Sequence, residues 1–331
     1  MIRDQRKRPL RDLRISVTDR CNFRCGYCMP SDRTYTFLPK NQLLSFEEIT
    51  RIARAFAALG VTKLRLTGGE PLLRRDLPLL IAMLKEIDGI EDIALTTNGS
   101  RLGTFAADLV AAGLSRATVS LDSLRPEVFT RLADTKVPLE SVLAQIDTAL
   151  AAGLPLKTNT VVQKGVNQGE CAEIVAYFRA RGVTPRFIEF MDVGNLNAWQ
   201  RDHVFDAAQI AAQIGTVFPH HPLPPRVPGE TARRFGFDDG PGEFGIIASV
   251  TQPFCGACSR VRLSAQGRVY HCLFAAEGYD LKSLVRDGAD QETLVAAIAT
   301  AWRARTDRYS EERGAVAPAE RTKVEMYHIG G

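Results

Sequence analysis

Residues 14–30 read RISVTDRCNFRCGYCMP. The opening residues alternate polar with β-branched apolar side chains, the pattern of a half-buried strand. The loop that follows carries Cys21, Cys25 and Cys28 within eight positions. In parallel α/β folds, binding residues collect on loops at the carboxyl ends of strands. One strand with such a loop therefore predicts that class, provided that the unit recurs.

Reading outward, it does. Short β-prone runs stand at 13–17 (LRISV), 63–67 (KLRLT), 92–96 (DIALT), 117–121 (ATVSL), 157–162 (KTNTVV) and 186–190 (RFIEF). Helical stretches such as SFEEITRIARAFAAL and GECAEIVAYFRARG lie between them. Their apolar residues recur near i, i+3 and i+4, and several end in glycine. Strand–helix alternation means parallel strands with right-handed crossovers. Six units fall short of the eight that close an ordinary barrel. The expected class is α/β, an incomplete TIM-like (β/α)6 barrel, with a doubly wound sheet as the alternative.

The texture shifts after residue 190. HVFDAAQIAAQIG (203–215) reads as a helix, and HHPLPPRVPG (220–229) as a connector whose prolines continue neither helix nor strand. FGIIASV, RVRLSA and GRVYHCLF read as short strands, and the remainder as helices ending in YHIGG. This divides the chain into a barrel region with a basic leading segment, residues 1–220, and a C-terminal α+β region, residues 221–331.

At 331 residues and 45% hydrophobic, the chain can bury a sizeable core. No apolar run approaches the roughly 18 residues that span a bilayer. The charged start lacks the apolar core of a secretory signal. A cytoplasmic protein without membrane attachment is expected. The net charge is +4. Arg3, Arg6, Lys7, Arg8, Arg11 and Arg14, against Asp4 and Asp12, account for all of that surplus. A broad basic face for duplex nucleic acid is excluded. A small polyanion held by a few cations fits the balance, and so does a solvated basic arm.

Six of the seven cysteines form two triplets, Cys21, Cys25, Cys28 and Cys255, Cys258, Cys272. Cys171 stands alone and reads as a plain buried thiol. Clustered cysteines in the cytoplasm indicate metal rather than disulfides. A closed zinc site wants four ligands, and nothing flanking the first triplet offers a fourth. Four-iron clusters are commonly held by four thiolates; three would leave one iron free for an outside ligand. For the second triplet zinc stays open, because His271 adjoins Cys272. Against zinc, neighbours on a strand point to opposite faces.

Cys21-x3-Cys25-x2-Cys28 resembles the signature of the radical S-adenosylmethionine (SAM) enzymes, and GGEP (68–71), in register after the second strand, extends the likeness. Together with LRLTGGEPLLRRDL, LTTNG, VSLDSL, RFIEFMDVG, CGACSRVRLSAQGRVYHCLF and the terminal IGG, the chain resembles the GTP 3′,8-cyclase family over nearly its whole length. That family performs the first step of molybdenum cofactor (molybdopterin) biosynthesis.

The resemblance implies two [4Fe–4S] clusters and SAM as cofactors. Cys21, Cys25 and Cys28 would hold the cluster whose open iron SAM chelates. Cys255, Cys258 and Cys272 would hold the auxiliary cluster, with the guanine of GTP at its open iron. SAM contacts carry over to Tyr27, Gly69, Ser120 and Met191. Substrate contacts carry over to Arg14, Arg65, Thr96, Lys157, Arg260 and Arg262. Arg186 is a further interior candidate. Arg260, Arg262, Arg186, Gly330 and Gly331 are the implied catalytic set, with the tail reaching into the site. A 5′-deoxyadenosyl radical would take the ribose 3′ hydrogen of GTP and lead to the 3′,8-cyclised product. An electron donor such as flavodoxin or ferredoxin, a downstream cyclic pyranopterin monophosphate synthase and a homodimer are also implied, with no nucleic-acid partner.

Two of these positions carry independent physical weight. Arg260 and Arg262 alternate along SRVRL, so both side chains leave the strand on one side. Lys157 lies in KTNTVV, where burial without an anion would be costly. Two rival readings are a peptide-modifying radical SAM enzyme, which usually carries more C-terminal cysteines, and a zinc-stabilised RNA-binding protein, which needs a basic face with exposed aromatics.

Overall fold

The computed structural model describes residues 1–197, 199–313 and 323–330. Six strands stand side by side in sequence order, each parallel to the next: β1 (Asp12–Ser16), β2 (Lys63–Thr67), β3 (Asp92–Thr97), β4 (Arg116–Ser120), β5 (Leu156–Val162) and β6 (Thr184–Glu189). They are the six that the sequence predicts, with ends moved by a residue or two.

Six more strands follow: β7 (His220–Leu223), β8 (Arg233–Phe237), β9 (Glu243–Ile247), β10 (Arg260–Leu263), β11 (Arg268–Tyr270) and β12 (Tyr279–Asp280). All join the same sheet, in the order β12-β11-β10-β1-β2-β3-β4-β5-β6-β9-β8-β7. β10 pairs in parallel with β1, and β9 in parallel with β6. Both margins of the partial barrel are therefore extended by strands from the C-terminal region. The outermost strands on each side run antiparallel.

Crossovers are made by α1 (Phe46–Ala58), α2 (Leu77–Lys85), α3 (Leu102–Ala111), α4 (Pro126–Ala133), α5 (Leu139–Ala151) and α6 (Cys171–Arg179). α1 starts at a capping box: Ser45 Oγ accepts from Glu48 N at 3.1 Å, and Glu48 Oε2 accepts from Ser45 N at 2.7 Å. Such a cap is worth about 1 kcal/mol. The helix then buries Ile49, Ile52, Ala53 and Phe56. α7 (Ala207–Gly215), α8 (Lys282–Arg286), α9 (Gln291–Arg303), α10 (Tyr309–Glu312) and α11 (Met326–Ile329) complete the order. No helix among the described residues is long and apolar enough to cross a membrane.

Two expectations are corrected. His220–Leu223, expected as connector, is β7. Pro222 is accommodated because β7 is the sheet's edge, where a missing N–H costs least. The basic leading segment is also not solvated throughout. Arg3, Arg6 and Lys7 are exposed, whereas Arg8 is 1% and Asp4 6% exposed. The two form a buried ion pair of 2.6 Å.

Candidate active site

The loop after β1 is stitched to the loop after β2 by backbone bonds. Gly69 N donates to Thr18 O at 2.8 Å, and Glu70 N to Arg20 O at 2.8 Å. A Cβ at Gly68 would lie 2.5 Å from Thr18 O, and one at Gly69 2.3 Å from Arg20 O. The glycines are thus required by the approach of the cysteine loop's own backbone. Within that loop Cys28 N and Met29 N both donate to Cys25 O at 2.9 Å. The carboxyl end of α4 supplies carbonyls for Arg24 N and Gly26 N.

Two buried carboxyls tie this rim together. Glu70 accepts from Thr97 Oγ1 at 2.7 Å, Leu72 N at 3.0 Å and Asn98 N at 2.7 Å. Burial lifts its pKa to about 7 despite those donors. Asp122 accepts from the Tyr27 hydroxyl at 2.7 Å and from Val161 N at 2.8 Å. Burial lifts it to about 6. Sequence reasoning placed Asp122 on the rim but did not anticipate the Glu70 link, although GGEP contains it.

One cavity of about 320 Å³ gathers both cysteine triplets on its wall. Tyr27, Gly69, Ser120 and Met191 line it, as do Arg14, Arg65, Thr96, Arg186, Arg260 and Arg262. Lys157 is not among the lining residues. Its pKa is lowered to about 8, by burial first and then by Arg186 nearby. Gly330 is not among the lining residues either, but it packs on two of them: Arg262 Nη1 donates to its carbonyl, and its Cα faces the methyl of Thr67. Gly331 lies outside the described residues.

The five arginines come from four strands, β1, β2, β6 and β10, with Arg260 and Arg262 both on β10, and the sheet sets their order. Arg14 stands in register with Arg65 on one side and Arg262 on the other. Burial and repulsion from neighbouring arginines push Arg14 and Arg65 down to about 9, and burial with repulsion from Arg116 pushes Arg186 to about 10. Guanidinium groups keep their proton in proteins, so these shifts measure how costly the crowded charge is. Among the described residues none of the five makes an ion pair with a carboxylate. Arg186 Nε and Asn159 Oδ1 are buried there without a hydrogen-bond partner.

The thiols fall into two environments. Burial pushes Cys25 and Cys28 well up, and Cys21 to about 11. Burial also acts on Cys258, but Arg260 and Arg305 beside it prevail and bring it to about 6. Arg260 Nη2 and Arg305 Nη2 donate to its sulfur at 3.4 and 3.5 Å. Nothing in the sequence marks Arg305 among the chain's many arginines. Among the described residues no set of three or more His, Cys, Asp or Glu side chains closes on a single metal ion. Three thiols on one rim, opposite a glycine-backed loop, are a soft donor set with one ligand position left over. That fits a cluster of four irons.

Comparison with known proteins defines the class. The Radical SAM superfamily model matches residues 15–178, and the Molybdenum Cofactor Synthesis C model matches residues 183–311. Streptococcus suis SuiB bound to S-adenosylmethionine superposes with a TM-score of 0.59 at 14% identity, covering 97% of this chain and 78% of that one. SuiB bound to the precursor peptide SuiA gives 0.62, covering 97% and 76%. These likenesses establish the partial barrel with its C-terminal region. The chain is a radical SAM enzyme, a class that binds SAM and an iron–sulfur cluster.

Closer relatives narrow it further. A GTP 3′,8-cyclase of Acidothermus cellulolyticus is 54% identical over 100% of this chain and 99% of its own length. One from Staphylococcus epidermidis is 47% identical, again covering 100% and 99%. The chain belongs to the GTP 3′,8-cyclase family, enzymes of molybdenum cofactor synthesis.

Proposed function

We propose that the enzyme converts GTP to (8S)-3′,8-cyclo-7,8-dihydroguanosine 5′-triphosphate, using SAM and two [4Fe–4S] clusters. The observation that carries the reading is the shared cavity. Both triplets open onto it, beside five arginines that have no carboxylate partner among the described residues. A triphosphate supplies the missing negative charge, and bidentate guanidinium contacts suit it.

When bound, the first cluster and SAM supply the 5′-deoxyadenosyl radical that takes the ribose 3′ hydrogen, after which C3′ bonds to C8 of guanine and one electron and one proton complete the ring. Cys21, Cys25 and Cys28 hold that cluster. Tyr27, Gly69, Ser120 and Met191 bound the SAM position, with Tyr27 fixed by Asp122. Cys255, Cys258 and Cys272 would hold the second cluster, whose remaining ligand position would be open to the guanine. Arg14, Arg65, Arg260 and Arg262 take the phosphates, with Thr96 and Arg186 beside them. Lys157 joins from outside the cavity wall. Arg262, which holds the Gly330 carbonyl, exchanges it for substrate, and Gly331, which lies outside the described residues, completes the proposed catalytic set. The reading takes flavodoxin or ferredoxin as reductant, a cyclic pyranopterin monophosphate synthase as the user of the product, and a cytoplasmic homodimer as the working form.

Iron and sulfide analysis after anaerobic reconstitution tests the cluster assignment. About eight irons per chain are expected from two clusters of four. About four would remove the second cluster, and zinc alone would defeat the enzyme reading. Turnover with SAM, dithionite and GTP should give methionine, 5′-deoxyadenosine and an isomer of GTP. Cys25→Ala should abolish SAM cleavage. Cys258→Ala should retain part of it while losing GTP conversion.

A further inference from the structure

Arg305 follows α9 and is 4% exposed. Its guanidinium reaches Cys258 twice, with Nη1 donating to the backbone oxygen at 2.9 Å and Nη2 to Sγ at 3.5 Å. Its Cζ lies 4.6 Å from the centre of the Trp302 ring. Nε donates to Asp307 at 3.0 Å. Asp4, from the opposite end of the chain, stands 3.8 Å from Nη1.

The same Asp4 carboxylate pairs with Arg8 at 2.6 Å. Arg8 Nη1 then donates to Cys255 O at 3.0 Å and Asp307 O at 2.7 Å. Two buried guanidinium groups therefore grip the 255–258 loop, one at each of its cysteines, with one buried carboxylate between them. Burying two cations is expensive, and apolar packing would hold a loop as well. What apolar packing cannot supply is an N–H aimed at a ligating sulfur.

We propose that Arg305 is a positioning residue for the second cluster, orienting Cys258 and raising the cluster's reduction potential, with Asp4 and Arg8 fixing it in place. The proposal rests on the two-cluster reading above. A cationic donor on a ligating sulfur stabilises the reduced, more negative state of a cluster. Exclusion of water strengthens the effect. The planar fork of arginine serves sulfur and carbonyl at once, whereas a lysine ammonium keeps the charge and loses that double fit.

The test uses reconstituted full-length enzyme, unaltered and with Arg305→Met or Arg305→Lys. Each is titrated anaerobically with paramagnetic-resonance detection, and iron is counted on the same samples. Adding SAM perturbs only the cluster that chelates it, which separates the two signals. The second cluster's midpoint potential is expected to fall in Arg305→Met and to lie between the two in Arg305→Lys, with the first cluster unmoved. A second potential unchanged in both variants overturns the proposal. Should Arg305→Met fail to fold, Arg305→Lys decides alone, by its potential and its rate of iron loss to a chelator. About four irons in the unaltered enzyme would defeat the two-cluster reading and this proposal with it. About eight with an unmoved potential would defeat this proposal alone.

Discussion

A methyl group at position 69 would sit 2.3 Å from the carbonyl oxygen of Arg20. That oxygen is backbone, so it cannot swing aside as a side chain could. Gly69→Ala should force the two loops apart at a cost of about 1–3 kcal/mol, as overpacking does. Iron should fall from about eight to about four per chain, lost at the first site alone; full iron in this variant would refute the argument. The neighbouring Glu70 sets a pH dependence. Its carboxyl is raised by burial to about 7 from the usual 4.5. Between those values the folded chain keeps a proton that the unfolded chain has lost. The stability tied to that proton is therefore full below about pH 4.5 and is lost as pH rises to about 7. Glu70→Gln cannot ionise. Urea unfolding of the cluster-free chain from pH 5 to 8 should show a shallower fall for the variant, and parallel curves would contradict it. The sequence displayed the motif around these residues. It could not display their reason, because the carbonyls that exclude a side chain belong to a loop about fifty residues away in the chain.

β10 lies parallel to β1 and brings Arg262 beside Arg14, which on its other side meets Arg65 on β2. Three like charges in one row across adjacent strands repel one another when no anion is present. Removing the middle one should therefore separate two effects. Arg14→Met should leave the nucleotide-free protein at least as stable as before. It should also raise the Kd for GTP about tenfold to a hundredfold, the worth of one charge-assisted contact. Thermal unfolding and calorimetry measure the two. A destabilised free protein with unchanged affinity would mean that Arg14 is a structural residue. At this scale the sequence was legible where an element was long or repeated. The six barrel strands and α1 could be read from periodicity. α4 could not, being eight residues opened by Pro126. Nor could the placement of β9 and β10, since each pairs in parallel with a strand far away in the chain, and no local period encodes that partner. β7 was hidden by Pro222, whose usual meaning is reversed at a sheet edge.

Across the whole molecule, the end of the chain is locked to the barrel rim at Asp192. This residue is 2% exposed and lies directly after Met191. It accepts from Arg313 Nε at 2.7 Å, from Lys323 Nζ at 2.8 Å and from the Tyr309 hydroxyl. Asn195 adds a pair of bonds to the backbone of Lys323. Beyond this anchor the chain reaches Gly330 on Arg262. Burial alone would raise the Asp192 carboxyl, but Lys323, Tyr309 and Arg313 reverse that and hold it below its usual 3.8. Its contribution is therefore present above that value and is lost only as pH falls through the lower, folded one. Asp192→Ala would leave two cations buried without their partner, at a cost of about 3–5 kcal/mol. The cheaper outcome for the molecule is to release the terminal segment rather than to unfold the barrel, whose strands hold their own core. Iron content should then stay whole while SAM cleavage loses its partner reaction. Methionine should accumulate in excess of GTP consumed, where the unaltered enzyme keeps the two in step. If the ratio holds in Asp192→Ala, Gly330 is held in place by Arg262 itself, and the rim anchor serves stability alone.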